Sequence, residues 1–255
     1  MKACGIFMKF PQPCVKVKFL HRPQRFLAEI SFADGTKTIA YCANPGSFAG
    51  CLNKGSAALL WDSNNYTRKR RYTLRAVKVG RVWVGTDTHL SNRIVEKALQ
   101  LQIFSSLQGY PSLTREHPFG KGQRVDFLLA GPKGLCFLEV KSASIMDGGV
   151  ARFPDSVTPR GLNHLTRLTE QAKKGHRAVI LFMVQRGDAT SFSINSLRHP
   201  AYAKAFRQAL KAGVEAMAFA VTITPKGFSS PVALPFCEEA VFERPRVHVQ
   251  NISNK

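Results

Sequence analysis

Between residues 15 and 84 the chain is a series of short β-rich runs punctuated by turn residues, with no helical period interrupting them. The runs cover 15–19, 26–32, 38–42, 57–61, 72–79 and 82–84. Asp34-Gly35, Asn44-Pro45-Gly46, Asn53-Lys54-Gly55, Asn64-Asn65 and Gly80 lie between them. Five or six strands in about 70 residues cannot make a large sheet and can close on themselves, so this segment reads as a small barrel of OB-like type. Basic residues decorate it: Lys16, Lys18, Arg22, Arg25 and the run Arg68-Lys69-Arg70-Arg71.

The pattern changes near residue 86. Ser91 or Asn92 reads as a helix cap, and Ile94, Val95, Ala98 and Leu99 recur at helical spacing to about Phe104. Strand-like runs follow at 114–119, 124–130 and 135–141, the last two joined by Gly131-Pro132-Lys133-Gly134 as a hairpin. Thr158-Pro159 opens a second helix with Leu162, Leu165 and Leu168 inward. Residues 178–184 are continuously apolar, as in a strand buried on both faces. Pro200 opens a third helix with Tyr202, Ala205, Phe206, Ala209 and Leu210 inward, and a last strand runs over 215–224. The expected organisation is an α+β or α/β chain: a barrel over 1–85, a mixed-sheet α/β domain over 86–236 and a tail over 237–255.

Charge narrows the partners. Formal net charge is +21, and residues 1–85 hold +12 of it. A folded domain this basic meets a polyanion, most often nucleic acid. No stretch of about 18 apolar residues suggests a membrane span, and the first ten residues lack a secretory pattern, so a cytoplasmic protein is expected. The six cysteines contain no C-x-x-C and no histidine at zinc-finger spacing, and read as reduced thiols. Oligomeric state has no signature.

The chemistry-bearing residues fall on the expected hairpin. Asp126 lies on its first strand, Glu139 and Lys141 on its second. Residues two apart in a strand share a face, so Glu139 and Lys141 point one way while Leu138 and Val140 point into a core. Asp126 then lies beside Glu139. Neighbouring carboxylates repel, and Mg²⁺ or Mn²⁺ relieves that repulsion. Such an ion polarises a phosphodiester, and a lysine stabilises charge growing on phosphorus. D…E-x-K, here with the acids 13 positions apart, is the signature of the PD-(D/E)xK, restriction-endonuclease-like superfamily. Glu96 and Glu116 are candidate further metal ligands. Arg160 and His164 share a face of the second helix, whose start can cover the site. A Glu139–Lys141 structural salt bridge is the competing reading.

The chain also resembles the sugar fermentation stimulation protein A family. The resemblance spans about residues 8–232 and rests on several strings in order. They are Arg25-Phe26-Leu27-Ala28, Cys42-Ala43-Asn44-Pro45-Gly46-Ser47, Arg124-Val125-Asp126-Phe127-Leu128-Leu129 and Glu139-Val140-Lys141. Phe153-Pro154-Asp155-Ser156-Val157-Thr158-Pro159-Arg160-Gly161 with His164-Leu165, Val184-Gln185-Arg186-Gly187-Asp188 and Gly213-Val214-Glu215 complete the set. The resemblance implies an OB-like domain followed by a nuclease-like domain in a bacterial or archaeal cytoplasmic protein that binds DNA and regulates sugar (maltose) metabolism. Tyr41, Ala43 and Pro45 depart from a His-Cys-Pro-Asn-Thr-Gly-Ser pattern, Ser142 stands for Asn and Asn163 for Lys. The family usually starts near Met8, which makes residues 1–7 an extension or a misplaced start.

The leading expectation is a regulatory DNA-binding protein, DNA being favoured over RNA. It grips phosphates through Arg22, Arg25, Arg68, Lys69, Arg70 and Arg71 and stacks bases on some of Phe26, Tyr41, Phe48, Trp61, Tyr66 and Tyr72. The alternative is a metal-dependent nuclease acting through Asp126, Glu139 and Lys141. A basic RNA- or ribosome-associated protein is a third option. No organic cofactor is expected.

Overall fold

The computed structural model describes residues 5–10, 14–120 and 122–237. After a two-residue strand at Met8–Lys9 come six strands: β1 (Val15–Gln24), β2 (Leu27–Ser31), β3 (Lys37–Tyr41), β4 (Ala57–Asp62), β5 (Tyr72–Val79) and β6 (Val82–Gly85). β1 pairs with both β2 and β4, β2 with β3, and β5 with β4. A single parallel bridge, Tyr41 to Thr73, joins β3 to β5 and closes the ring in the order 1-2-3-5-4-1. Closure removes the exposed edges that five short strands would otherwise present. Val17, Phe19, Ile30, Leu60, Leu74 and Val77 fill the interior.

The second part contains α1 (His89–Gln100), β7 (Ser112–Pro118), β8 (Arg124–Gly131), β9 (Gly134–Ala143), β10 (Val150–Phe153), α2 (Pro159–Lys173), β11 (Arg177–Val184), β12 (Ser191–Ile194), α3 (Pro200–Lys211) and β13 (Glu215–Ala220). Its main sheet runs β13-β11-β9-β8-β7, with Val232–Ala233 outside β13. β9, β11 and β13 are parallel and the β7–β8–β9 meander antiparallel. The apolar run in β11 is explained by burial on both sides. Leu181 and Met183 pack towards α1 and the barrel, while Ile180, Phe182 and Val184 pack towards α2 and α3.

The two parts share a core. Leu59 and Ala76 of the barrel pack in one cluster with Leu90, Ile94 and Val95 of α1 and Leu138, Val140 and Val179 of the sheet. Buried Gln185 fastens the junction: its side-chain amide donates to Asp87 O and Ser142 Oγ, and its backbone carbonyl accepts from Gly85 N–H. Ser144 Oγ donates to Gly85 O at 3.0 Å. Arg75 of β5 and Asp87 before α1 form a buried ion pair. Among the described residues no helix is long and apolar enough to cross a membrane.

Several expectations need correction. α1 starts at His89, so Ser91 and Asn92 lie inside its first turns and not at its cap. It ends at Gln100 and not near Phe104. Leu210, expected inward, is exposed on α3. β10 and β12 pair in a small third sheet that periodicity does not reveal, because runs of four residues carry no measurable period. The expected strand over 215–224 breaks after Ala220. Ile223–Thr224 instead joins the barrel sheet beside Trp83 and pairs with Gly227–Phe228, which pairs in turn with Met8–Lys9. Of the residues read as an extension, 1–4 lie outside the described residues, and Phe7 N–H donates to Phe228 O. The tail beyond Cys237 lies outside them too. The five described cysteines are free thiols.

A second junction depends on one missing side chain. Ser47 Oγ and Phe48 N–H donate to Asp155 O and Asp155 Oδ2, joining the 44–48 loop of the barrel to the turn before α2. A Cβ on Gly46 would stand 2.0 Å from Asp155 Oδ2 and 2.5 Å from its Cγ. Gly46→Ala should therefore push the loops apart and destabilise the protein by about 1–3 kcal/mol, the usual range for overpacking. A lowered urea midpoint checks this, and an unchanged midpoint contradicts it.

Candidate functional site

A cleft of about 360 Å³ opens between the barrel and the α/β domain. The 44–46 loop forms one wall, α1 contributes Asn92, the sheet contributes Asp126, Glu139 and Lys141, and the start of α2 contributes Thr158 and Arg160. β9 and β8 remain paired as far as Leu138 and Phe127. Beyond that point Asp126 takes the place of the ladder: its Oδ2 accepts from Val140 N–H at 2.8 Å and its Oδ1 from Asn92 Nδ2 at 2.6 Å. The first acid is thereby fixed next to the strand that carries the second.

Glu139 is 2% exposed. Lys141 Nζ donates to its Oε1 at 2.5 Å, and His164 Nδ1 contacts the same oxygen. Arg160 Nε donates to His164 Nε2 at 3.3 Å. With Nε2 accepting, the proton sits on Nδ1, facing the carboxylate. The buried Glu139 Oε2 has no hydrogen-bond partner. Glu139 and Lys141 do point the same way, as their spacing requires, but that face is as buried as the other, being covered by α2.

The two acids are pushed apart electrostatically. Burial alone would raise Glu139, yet Lys141 and His164 outweigh it and hold the carboxyl below its usual range. Burial first, and the Glu139 charge second, push Asp126 up to about 7. At neutral pH one carboxylate is ionised and the other sits near its midpoint.

The remaining candidates divide. Glu116 lines the cleft from β7 and holds φ at +48°, a left-handed conformation rare for a glutamate. Glu96 does not line it: it pairs with Arg115 of β7 at 3.2 Å. Among the described residues no three His, Cys, Asp or Glu side chains stand close enough to enclose a metal. Magnesium-like ions rarely need such a cage. They take one or two carboxylates and complete their shell with water and substrate phosphate. The unpartnered Glu139 Oε2, the half-protonated Asp126 beside it and the all-oxygen donor set fit a hard divalent cation.

The basic candidates divide likewise. The Arg22 guanidinium is occupied by the backbone carbonyls of Arg25, Asn44 and Gly46, the last at 2.6 Å. Arg71 is held in a forked pair with Asp62. Arg25, Arg68 and Lys69 are exposed and Arg70 half-exposed. Phe48 is buried in the barrel core, whereas Phe26 is 46% and Tyr66 77% exposed.

Sequence reasoning missed the roles of Asn92, the 44–46 wall and Asp155. The strings that contain the last two stand out as family signatures, but no spacing rule relates positions 108 residues apart. Asn92 has the side chain of a cap and the position of a site residue.

An OB barrel joined across a carboxylate–lysine cleft to a mixed α/β domain is a recognisable class of protein. A family model described as "SfsA N-terminal OB domain" matches residues 20–86, and one described as "Sugar fermentation stimulation protein RE domain" matches residues 89–227. The chain belongs to the sugar fermentation stimulation protein family. It is 40% identical over 228 residues to a sugar fermentation stimulation protein homolog of Geobacter sulfurreducens, covering 89% of this chain and 98% of the relative. A homolog from Citrifermentans bemidjiense is 39% identical over 228 residues, covering 89% and 99%. The solved structure of Pyrococcus furiosus SfsA in complex with Ca²⁺ superposes with a TM-score of 0.84 at 26% identity, covering 91% of this chain and 99% of that one.

The raised Asp126 carboxyl has a consequence for stability. Between about pH 4 and pH 7 the folded protein keeps a proton that the unfolded chain has released, so this group weakens folding as pH rises through that window. Asp126→Asn should remove the dependence. In metal-free buffer, urea unfolding at pH 5 and pH 8 should show wild type losing a few kcal/mol more than the variant, at about 1.4 kcal/mol for each tenfold difference in proton affinity between folded and unfolded chain. Equal pH slopes would count against a raised Asp126.

Proposed function

We propose that this protein binds nucleic acid and hydrolyses its phosphodiester backbone with a divalent cation held by Asp126 and Glu139. The observation that carries the reading is the buried, unpartnered Oε2 of Glu139 beside a carboxyl raised to about 7 in an open cleft. A buried polar atom without a partner is destabilising unless something fills the position. The complex of Pyrococcus furiosus SfsA with Ca²⁺ supports divalent binding here by analogy. Mg²⁺ or Mn²⁺ is the working ion we infer. When bound, the cation supplies Lewis-acid polarisation of the phosphodiester and activation of water.

The chain's own residues do the rest. Asn92 and the Val140 N–H orient Asp126, and His164 orients Glu139 from behind. Lys141, 13% exposed at its side chain and paired with Glu139, would stabilise charge growing on phosphorus and orient an attacking water. The N-terminus of α2 and Arg160 line the cleft and favour an anionic phosphate. Arg25, Arg68, Lys69 and Arg70 supply the sequence-independent grip. Base-specific readout has no visible device, and DNA is the preferred polymer in this reading.

The second reading is a regulatory DNA-binding protein that does not cleave. The observation that favours it is the double engagement of Glu139 Oε1 by Lys141 and His164, which neutralises the acid internally.

One assay separates them. Purified protein is incubated with circular and single-stranded DNA in Mg²⁺ or Mn²⁺ and in chelator. Metal-dependent cleavage should fall by at least a hundredfold in Glu139→Ala, with binding retained. Binding without cleavage would establish the regulatory reading instead. Glu116→Gly tests the third acid: relief of the left-handed strain should leave stability unchanged or raised by up to about 1 kcal/mol, while calorimetric Mn²⁺ affinity falls. A drop in stability with unchanged metal affinity would remove Glu116 from the site.

A further inference from the structure

Resting on the nucleic-acid reading above, we infer that the ring pair Phe26–Tyr41 is a stacking platform for one base of single-stranded nucleic acid entering the cleft from the barrel side. Phe26 lies at the turn between β1 and β2, and its ring is exposed although the barrel has a core to bury it in. It lies nearly parallel to Tyr41, with 6.3 Å between ring centroids and 17° between planes. Among the other barrel aromatics Tyr66 is exposed, Trp61 is half-buried, and cations lie against both. Arg71 covers Tyr66 at 4.2 Å, and Arg68 and Arg75 lie over Trp61.

The pair is fixed relative to the catalytic cleft. Cys42 N–H donates to Phe26 O at 2.9 Å, and Leu27 is in register with Tyr41. Arg22 holds the carbonyl of Arg25, next to Phe26, and the carbonyls of Asn44 and Gly46, which line the cleft. One guanidinium thus joins platform to cleft wall. Asn44 is three residues beyond Tyr41, at most about 11 Å along the chain. That is the length of about three stacked nucleotides at about 3.4 Å each. Exposed Arg25 flanks the ring and suits the backbone phosphate.

The occupant is a single strand because a base can stack on an exposed ring only when it is unpaired. About 360 Å³ lies at the low end of small-ligand cavities, about 300–1,000 Å³. A nucleotide-sized group fits inside it. Such stacking tolerates any base sequence.

The test measures binding in chelator, so that cleavage plays no part. Fluorescence anisotropy compares wild type, Phe26→Ala and Phe26→Trp on labelled oligo-dT, oligo-U and a hairpin duplex of equal charge. Phe26→Ala should weaken single-strand binding about tenfold, within the roughly 5- to 150-fold range of one base–aromatic stack. Duplex affinity should stay within twofold, and Phe26→Trp should restore strand binding. The dT and U arms show which polymer is taken. An oligo-dT carrying one abasic site at successive positions should lose wild-type affinity at one position and lose no further affinity with Phe26→Ala. Unchanged strand affinity in Phe26→Ala, or equal losses on strand and duplex, would overturn the inference and leave the cleft reading intact. Failure of wild type to bind any of the three probes would overturn both.

Discussion

The central strand of the α/β sheet carries an ionised glutamate with protein on both sides of it, and the arrangement of the site follows from that constraint. A carboxylate taken out of water is strongly destabilising unless paired. Here Lys141 supplies the pairing from two residues along the same strand and His164 from the overlying helix. Arg160 in turn sets the histidine tautomer. The start of α2 is therefore tied to β9 by a hydrogen bond to the carboxylate as well as by the packing of Leu165 and Leu168. One oxygen of Glu139 absorbs both partners and the other has none, and that asymmetry is what makes the site chemically interesting rather than a closed salt bridge.

The barrel is part of the same construction. It contributes a wall to the cleft, and its position is set by groups that would otherwise be buried and unpaired: Gln185, Ser144 and the Arg75–Asp87 pair. Arg22 shows how a basic residue in a basic protein can be structural. Its fork is occupied by three carbonyls, and the cleft loop keeps its shape because of it. Arg25, Arg68 and Lys69, by contrast, are exposed on the barrel that forms one side of the cleft.

Legibility in the sequence followed the length scale of each interaction. The six barrel runs, the three helices and the Asp126/Glu139/Lys141 hairpin were readable because alternation, helical period and turn residues act over a few positions. Glu116 was readable as a candidate but not its left-handed backbone. Glu96 looked equivalent to Glu116 and pairs with Arg115 instead of lining the cleft. β10 and β12 were too short to show a period, and the break at residues 221–222 follows from pairing with Trp83, some 140 positions earlier.

By itself the sequence determined that a basic β-barrel precedes an α/β domain, and that two acids and a lysine share adjacent strands. Those properties reside in local backbone preference and in the two-residue repeat of a strand. Tertiary structure alone decided that the lysine's face is buried under α2, that Asn92 serves Asp126 rather than a helix end, and that the 44–48 loop meets the 153–156 turn. Each depends on which surfaces lie against each other after folding. Burial then sets the charge states of Asp126 and Glu139, because a carboxyl's affinity for its proton depends on the water and charges around it, and no local run of residues specifies those.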